Sequence, residues 1–159
     1  MVAMRQPLKD FFETNPLGWG ATYHAHPVPL ACAYECIKHM IKEDLPGRAA
    51  ALHPSMVKGV QMLVDRHPTV RQGRAVGLFG AIDLTDAHGA NIQPLQGPAP
   101  PAIAALKGAL KEEGIYGLFR GTMMHCAPPL VITEDELAEG FARVDRALAV
   151  FDEAVLASK

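Results

Sequence analysis

A few side chains in this sequence are of types, and at spacings, that could do chemistry. Thr22 follows Gly20 in the loop PLGWGATYHAHP and precedes a helix whose start falls near Pro27 to Pro29. A hydroxyl and free backbone N–H groups near the positive end of a helix dipole can seat a phosphate; the plainer alternative is a threonine that satisfies its own turn. Arg120 comes after the apolar run IYGLF and before GTMMHCAPP, which reads as half-buried. An arginine fork is costly to bury unpaired, so an anion is expected there, either an internal Asp or Glu or a carboxylate from a ligand. His24 and His26 could both reach a metal from an extended segment, but no acidic residue stands near to complete a site, so packing or hydrogen bonding is expected. His125 and Cys126 suggest an acid–base or nucleophile pair, yet adjacent strand residues point to opposite faces, which favours structural roles. Cys32 and Cys36, four apart in an apolar helical pattern, are expected to be buried small hydrophobes.

These residues need elements to position them. Pro7 suits the first turn of a short helix in QPLKDFFETN. Leu30, Ala33, Tyr34, Ile37, Met40 and Ile41 repeat at three and four and mark a helix ending before Pro46-Gly47. Leu45, Ala49, Leu52, Met56, Val60 and Leu63 mark another, stopped by His67-Pro68, with Pro54 expected to kink or break it. Residues 70–84, VRQGRAVGLFGAIDL, read as one strand with Val76, Leu78, Ile82 and Leu84 on one face and glycines that leave room for something packed close. Asp86, His88 and Gly89 supply turn chemistry, and residues 94–101 hold four prolines in a surface loop. Pro101 opens a helix with Ile103, Leu106 and Leu110 inward and Gly114 as left-handed cap. IYGLF is a short strand and HCAPPLVI is extended. Thr133 and Glu136 form a capping-box pattern ahead of Leu137, Phe141, Val144, Leu148, Phe151 and Val155, the stripe of the last helix. Few strands among several helices predict an α+β layer, a small and largely antiparallel sheet with helices on one face and a second face that needs a partner.

The chain has 159 residues, 49% of them apolar, enough for one compact domain. A net charge of -2 with mixed signs offers no basic face for nucleic acid. No apolar run approaches the roughly 20 residues of a membrane span, and MVAMRQPLKD lacks the apolar centre of a signal peptide, so a soluble cytoplasmic protein is expected. Three cysteines, an odd count without disulfide spacing, suit a reducing compartment. GLFG lacks the spacing and the following helix of a dinucleotide fingerprint.

Three blocks resemble the class III aminotransferases, which depend on pyridoxal 5'-phosphate (PLP). WGATYHAHPVPLACAYECI resembles the segment that enters the helix joining the large and small domains. VRQGRAVGLFGAIDL resembles the first strand of the small domain, and GIYGLFRGTMMHCAPPLVITEDELAEGFARVDRAL resembles its carboxy-terminal strands and last helix. The blocks occur in the family's order and cover nearly the whole chain. The resemblance implies the carboxy-terminal small domain of a PLP fold type I aminotransferase, α+β within an α/β family. It divides the chain into 1–26, a remnant of the large PLP-binding domain and its loop; 27–66, the interdomain helix and the one after it; and 67–159, the small domain.

By the same resemblance, Thr22, with Ala21 beside it, binds the cofactor phosphate, usually across a dimer interface. Arg120 matches the mobile arginine that pairs with a substrate carboxylate. HAHP, where many members have a glycine before His-Pro, is most similar to the pyruvate-using branch that acts on ω-amino acids or taurine. The Schiff-base lysine, the aspartate facing the pyridine nitrogen and the aromatic over the ring belong upstream of the segment matching Met1; Lys9, Lys38 and Lys42 are not in the matching position. The expectation is therefore a transaminase part, working with an amino donor, a keto acid such as pyruvate and either a homodimer partner or a complementing large domain, inactive and weak in PLP binding by itself. The alternative is a stand-alone small-domain protein acting as an interaction or assembly module.

Overall fold

The computed structural model describes residues 4–20, 22, 24–90, 92 and 100–157. Contacts divide the chain into two units, Met1–Lys42 and Glu43–Lys159.

The first unit holds helices α1 (Gln6–Thr14) and α2 (Pro27–Lys42), and no residue of either helix is buried. A proline in its first turn starts α1, as expected. Val28, Leu30, Tyr34, Ile37, Met40 and Ile41 of α2 are all exposed. So are Cys32 and Cys36, contrary to the expected burial. Periodicity identifies which face of a helix is apolar; it does not supply what covers that face.

The second unit is built on α3 (Leu45–Arg66), β1 (Val70–Val76), β2 (Phe79–Leu84), α4 (Pro101–Glu112), β3 (Leu118–Arg120), β4 (Met123–Cys126) and α5 (Glu134–Leu156). The strands form one antiparallel sheet in the order β1-β2-β4-β3. Helix α3 packs on β1 and β2, and α5 packs on α3 and α4, so one sheet face carries the helices. This is the expected α+β layer. The core between them joins Met56, Val60 and Leu63 of α3 to Ile103, Leu106 and Leu110 of α4 and to Phe141, Leu148 and Phe151 of α5, closed by Ile82, Leu84 and Met124 of the sheet. Each such side chain contributes about 1.5–3 kcal/mol by leaving water.

Two expectations are corrected. Residues 70–84 are a hairpin, not one strand: Gly77, at φ 56°, makes the turn with Leu78. Leu78, Ile82 and Leu84 are buried, but Val76 is 80% exposed on the opposite face. The reversal was hidden because Leu78 is apolar and buried although it sits in the turn. Pro54 does not break α3, which runs through it. Pro54 and Ala50 both lie on the exposed side of the helix, so the hydrogen bond lost between them is away from the core.

Other local chemistry is as read. Gly114 caps α4 at φ 73°, with Ile115 N–H donating to Leu110 O at 2.7 Å. Thr133 and Glu136 form the reciprocal capping box of α5. Asp86 Oδ1 accepts from the N–H groups of Ala90 and His88 at 2.9 and 2.8 Å, and these bonds hold its carboxyl below the usual range. Most of the proline-rich loop at 94–101 lies outside the described residues.

Candidate functional site

Strand pairing sorts the sheet into rungs. Gly73, Ile82, Met124 and Phe119 stand abreast and face the helices. Alternation then places two rungs on the other face: Arg74, Ala81, His125 and Leu118, and beside it Gln72, Asp83, Met123 and Arg120. Arg120 thus ends β3 on the open face of the sheet, at the edge. Gly121 follows at φ 58°, and Thr122 O accepts from Leu84 N–H at 2.8 Å, which anchors the β3–β4 turn to β2.

The surroundings of Arg120 decide what it can bind. Its side chain is exposed, so the burial cost that seemed to demand an anion does not arise. The acid in its own rung is Asp83, two strands and roughly 10 Å away by strand spacing. Asp83 Oδ2 accepts from Gln72 Nε2 at 2.5 Å and from Arg74 Nη1 at 3.1 Å. Burial alone would raise the Asp83 carboxyl, but the hydrogen bonds from Gln72 and Arg74 and the charges of Arg74 and Arg71 outweigh it and hold the group below the usual range. Arg74 also reaches Met123 Sδ at 3.5 Å. The sheet's own carboxylate is committed, and Arg120 forms no ion pair with a described residue. What it offers is a planar cationic fork on an open face, suited to a carboxylate or phosphate. The Gln72–Asp83–Arg74 trio beside it was not singled out from sequence, although Gln72, Arg74 and Asp83 stand at strand alternation within the hairpin.

Thr22 is exposed ahead of α2, and Ala21 lies outside the described residues. The start of α2 does not supply the expected free donors. Pro27 and Pro29 carry no N–H, Val28 N–H donates to His26 Nδ1 at 3.3 Å, and Leu30 N–H donates to His26 O at 3.2 Å. His26 is therefore a helix-capping residue, in keeping with the hydrogen-bonding role expected of it. Toward a phosphate, the described residues offer the exposed hydroxyl of Thr22, and the first turn of α2 adds no free N–H. No group of His, Cys, Asp or Glu able to hold a metal occurs among the described residues.

His125 and Cys126 lie on opposite sheet faces, as alternation requires. Burial pushes the Cys126 thiol up to about 11, which leaves it protonated and unreactive. The His125 ring stacks on Phe79 with centroids 5.6 Å apart, and neither ring nitrogen has a hydrogen-bond partner among the described residues. Residues 124–129, Gly114–Tyr116 and the first turns of α5 line a cleft of about 650 Å³. Among the described residues, no helix is long and apolar enough to cross a membrane.

The family described as Aminotransferase class-III matches residues 2–148. A probable gamma-aminobutyrate transaminase 4 of Oryza sativa subsp. japonica is 28% identical over 151 residues, which are 92% of this chain and 29% of that protein. An ornithine aminotransferase of Exiguobacterium sp. is 30% identical over 150 residues, covering 93% of this chain and 32% of its own. An amine transaminase from an uncultivated Pseudomonas species, solved in its PLP-bound form, superimposes with a TM-score of 0.77 at 27% identity, covering 91% of this chain and 33% of that one. The taurine:2-oxoglutarate aminotransferase of Bifidobacterium kashiwanohense, solved with PLP and glutamate, shares the fold with a TM-score of 0.83 at 22% identity, over 94% of this chain and 34% of that one. This chain belongs to the class III aminotransferase family. It spans about a third of the length of the relatives it matches.

Proposed function

We propose that this chain is the carboxy-terminal part of a PLP-dependent transaminase that moves an amino group from an ω-amino acid or a related primary amine to a keto acid such as pyruvate. The family match over residues 2–148 supports the reaction class. The observation that carries the substrate reading is Arg120: an exposed fork on the open sheet face, with the acid of its own rung already held by Gln72 and Arg74. In this reading Arg120 binds the carboxylate of the keto acid or amino acid and fixes its orientation, and Thr22 donates its hydroxyl hydrogen to the cofactor phosphate. PLP, when bound, supplies the electron sink that amino-group transfer requires. The lysine, the ring-nitrogen carboxylate and the ring-stacking aromatic come from the large domain, and the active unit is a homodimer or a pairing with that domain.

Turnover tests the proposal. This chain, incubated with PLP, an ω-amino acid and pyruvate, gives no alanine above a protein-free PLP blank; joined to a large domain of its family, it gives alanine. A joined protein that folds, retains PLP and still forms no amine product from any keto acid would leave the interaction-module reading in its place.

A further inference from the structure

His67 stands where α3 ends and the chain turns into β1, and it is 6% exposed. Two carboxylates of α5 bracket its ring. Nδ1 lies 2.7 Å from Asp152 Oδ2, and Nε2 lies 3.2 Å from Asp145 Oδ1. Asp145 and Asp152 are two helical turns apart and so share one face of α5. Their remaining oxygens are engaged as well: Thr69 Oγ1 donates to Asp152 Oδ1, and Arg66 Nη1 donates to Asp145 Oδ2 at 3.0 Å. Among the described residues, the groups set around His67 are thus Asp145 and Asp152 from α5, Arg66 from its own helix and the hydroxyl of Thr69 just before β1.

An ionised carboxylate only accepts hydrogen bonds, and a neutral imidazole donates from one nitrogen alone. Both contacts are satisfied at once when the ring carries a proton on each nitrogen. The charges then balance, His67 and Arg66 against Asp145 and Asp152. We propose that His67 is an imidazolium bridging Asp145 and Asp152, and that this bridge is a proton-dependent lock holding the α3–β1 corner against α5. Loss of one proton turns a ring lone pair toward a carboxylate in a largely buried site, which disfavours the closed arrangement. The lock therefore holds while both ring nitrogens carry hydrogen and weakens once one of them is lost. The corner it holds opens the hairpin whose second strand pairs with β4, so the lock steadies the sheet that carries Arg120.

The test begins with the unaltered chain. Ring-nitrogen NMR of the 15N-histidine-labelled protein at about pH 6.5, with the His67 signals identified by their loss in His67→Gln or their displacement in Asp145→Asn, is expected to show both nitrogens protonated. A single neutral tautomer at His67 overturns the proposal. Thermal unfolding supplies the second arm. The Tm advantage of the unaltered chain over His67→Gln is expected to be larger at about pH 5.5 than at about pH 8.5, by a shift on the order of 5 °C. Asp145→Asn, which removes the demand for a second donor, flattens that dependence. An advantage that is the same at both pH values, or that Asp145→Asn leaves equally steep, means the ring is a neutral packing residue.

Discussion

Gly73 of β1 lies so close beneath Val60 of α3 that a side-chain carbon built on it would overlap the Val60 Cγ1 methyl, with Val64 Cγ2 only 3.1 Å away. Both valines are stiff at χ1 and sit in an interior turn of a long helix, so neither swings aside easily. A glycine inside a strand ordinarily costs stability relative to alanine; here it lets the helix and sheet approach. Gly73→Ala is expected to destabilise by about 1–3 kcal/mol, the range for overpacking a core, seen as a lower urea midpoint. Gly108 of α4 has nothing within 4 Å of the same hypothetical carbon. Gly108→Ala is expected to stabilise by about 0.4–1 kcal/mol, so that the two substitutions move the midpoint in opposite directions.

The capping box of α5 makes a second pair of expectations. Glu136 N–H donates to Thr133 Oγ1 at 3.2 Å, while Thr133 N–H and Oγ1 donate to Glu136 Oε2 at 2.8 Å. Thr133→Ala removes the cap and is expected to cost about 1 kcal/mol, measured as a drop in the denaturation midpoint. The backbone and hydroxyl bonds from Thr133 hold the Glu136 carboxyl below its ordinary value. A group depressed in the folded state stabilises above its unfolded pKa and ceases to do so as pH falls through the folded one. The unaltered chain should therefore lose α5 capping stability in the acid range, from the ordinary glutamate value downward. Comparison with Glu136→Gln isolates this part: its acid-side stability profile should be flatter.

Much of the second unit was legible because its local signals agreed with one another. In α5 the cap residues, the apolar stripe at three and four and the acidic first turn all point to one helix. In α4 the opening proline and the closing Gly114 bound the same stripe that is buried. Where one signal covered two conformations, the sequence misled. Alternation from Val70 to Leu84 fits one strand or a hairpin, and only the positive φ of Gly77 separates them. Exposure of Cys32, Cys36 and Arg120 lay beyond the sequence for a different reason, since a stripe or a cation reports its own chemistry and not the surface set against it. The His67 bridge was invisible as well. Its acids lie 78 and 85 residues further along, and only the packing of α5 on α3 brings them to the ring.

The phosphate contact proposed for Thr22 can be tested with a cofactor assay. The donors at the start of α2 are engaged by His26 or lacking at the prolines, so a phosphate at this segment would draw on the hydroxyl of Thr22 rather than on the first turn of the helix. In a polypeptide joining this chain to a large domain of its family, Thr22→Ala is expected to weaken PLP retention by about 1.5–3 kcal/mol, the worth of a hydrogen bond to a charged group. Equilibrium dialysis measures the loss, and Thr22→Ser should recover most of it. Retention unchanged in Thr22→Ala would assign the hydroxyl to its own turn.

Arg120 makes the sharper prediction, because substrates that differ by one carboxylate report on it separately. In the same joined protein, Arg120→Ala should raise the apparent KM for pyruvate by about tenfold or more, since a charge-assisted bidentate pair contributes on the order of 1.5–3 kcal/mol. A primary amine donor without a carboxylate should show little change in its own KM, for it never engaged the fork. Arg120→Lys keeps the charge but not the planar pair of donors, and should fall between the two. The circular dichroism spectrum and Tm should stay near those of the unaltered protein, because Arg120 is exposed, ends an edge strand and forms no ion pair with a described residue. Equal losses for pyruvate and for the simple amine, accompanied by a lowered Tm, would instead make Arg120 a support of the β3–β4 turn. Gly121 and the Leu84–Thr122 hydrogen bond already hold that turn in place, so the substrate-selective outcome is the one the geometry leads us to expect.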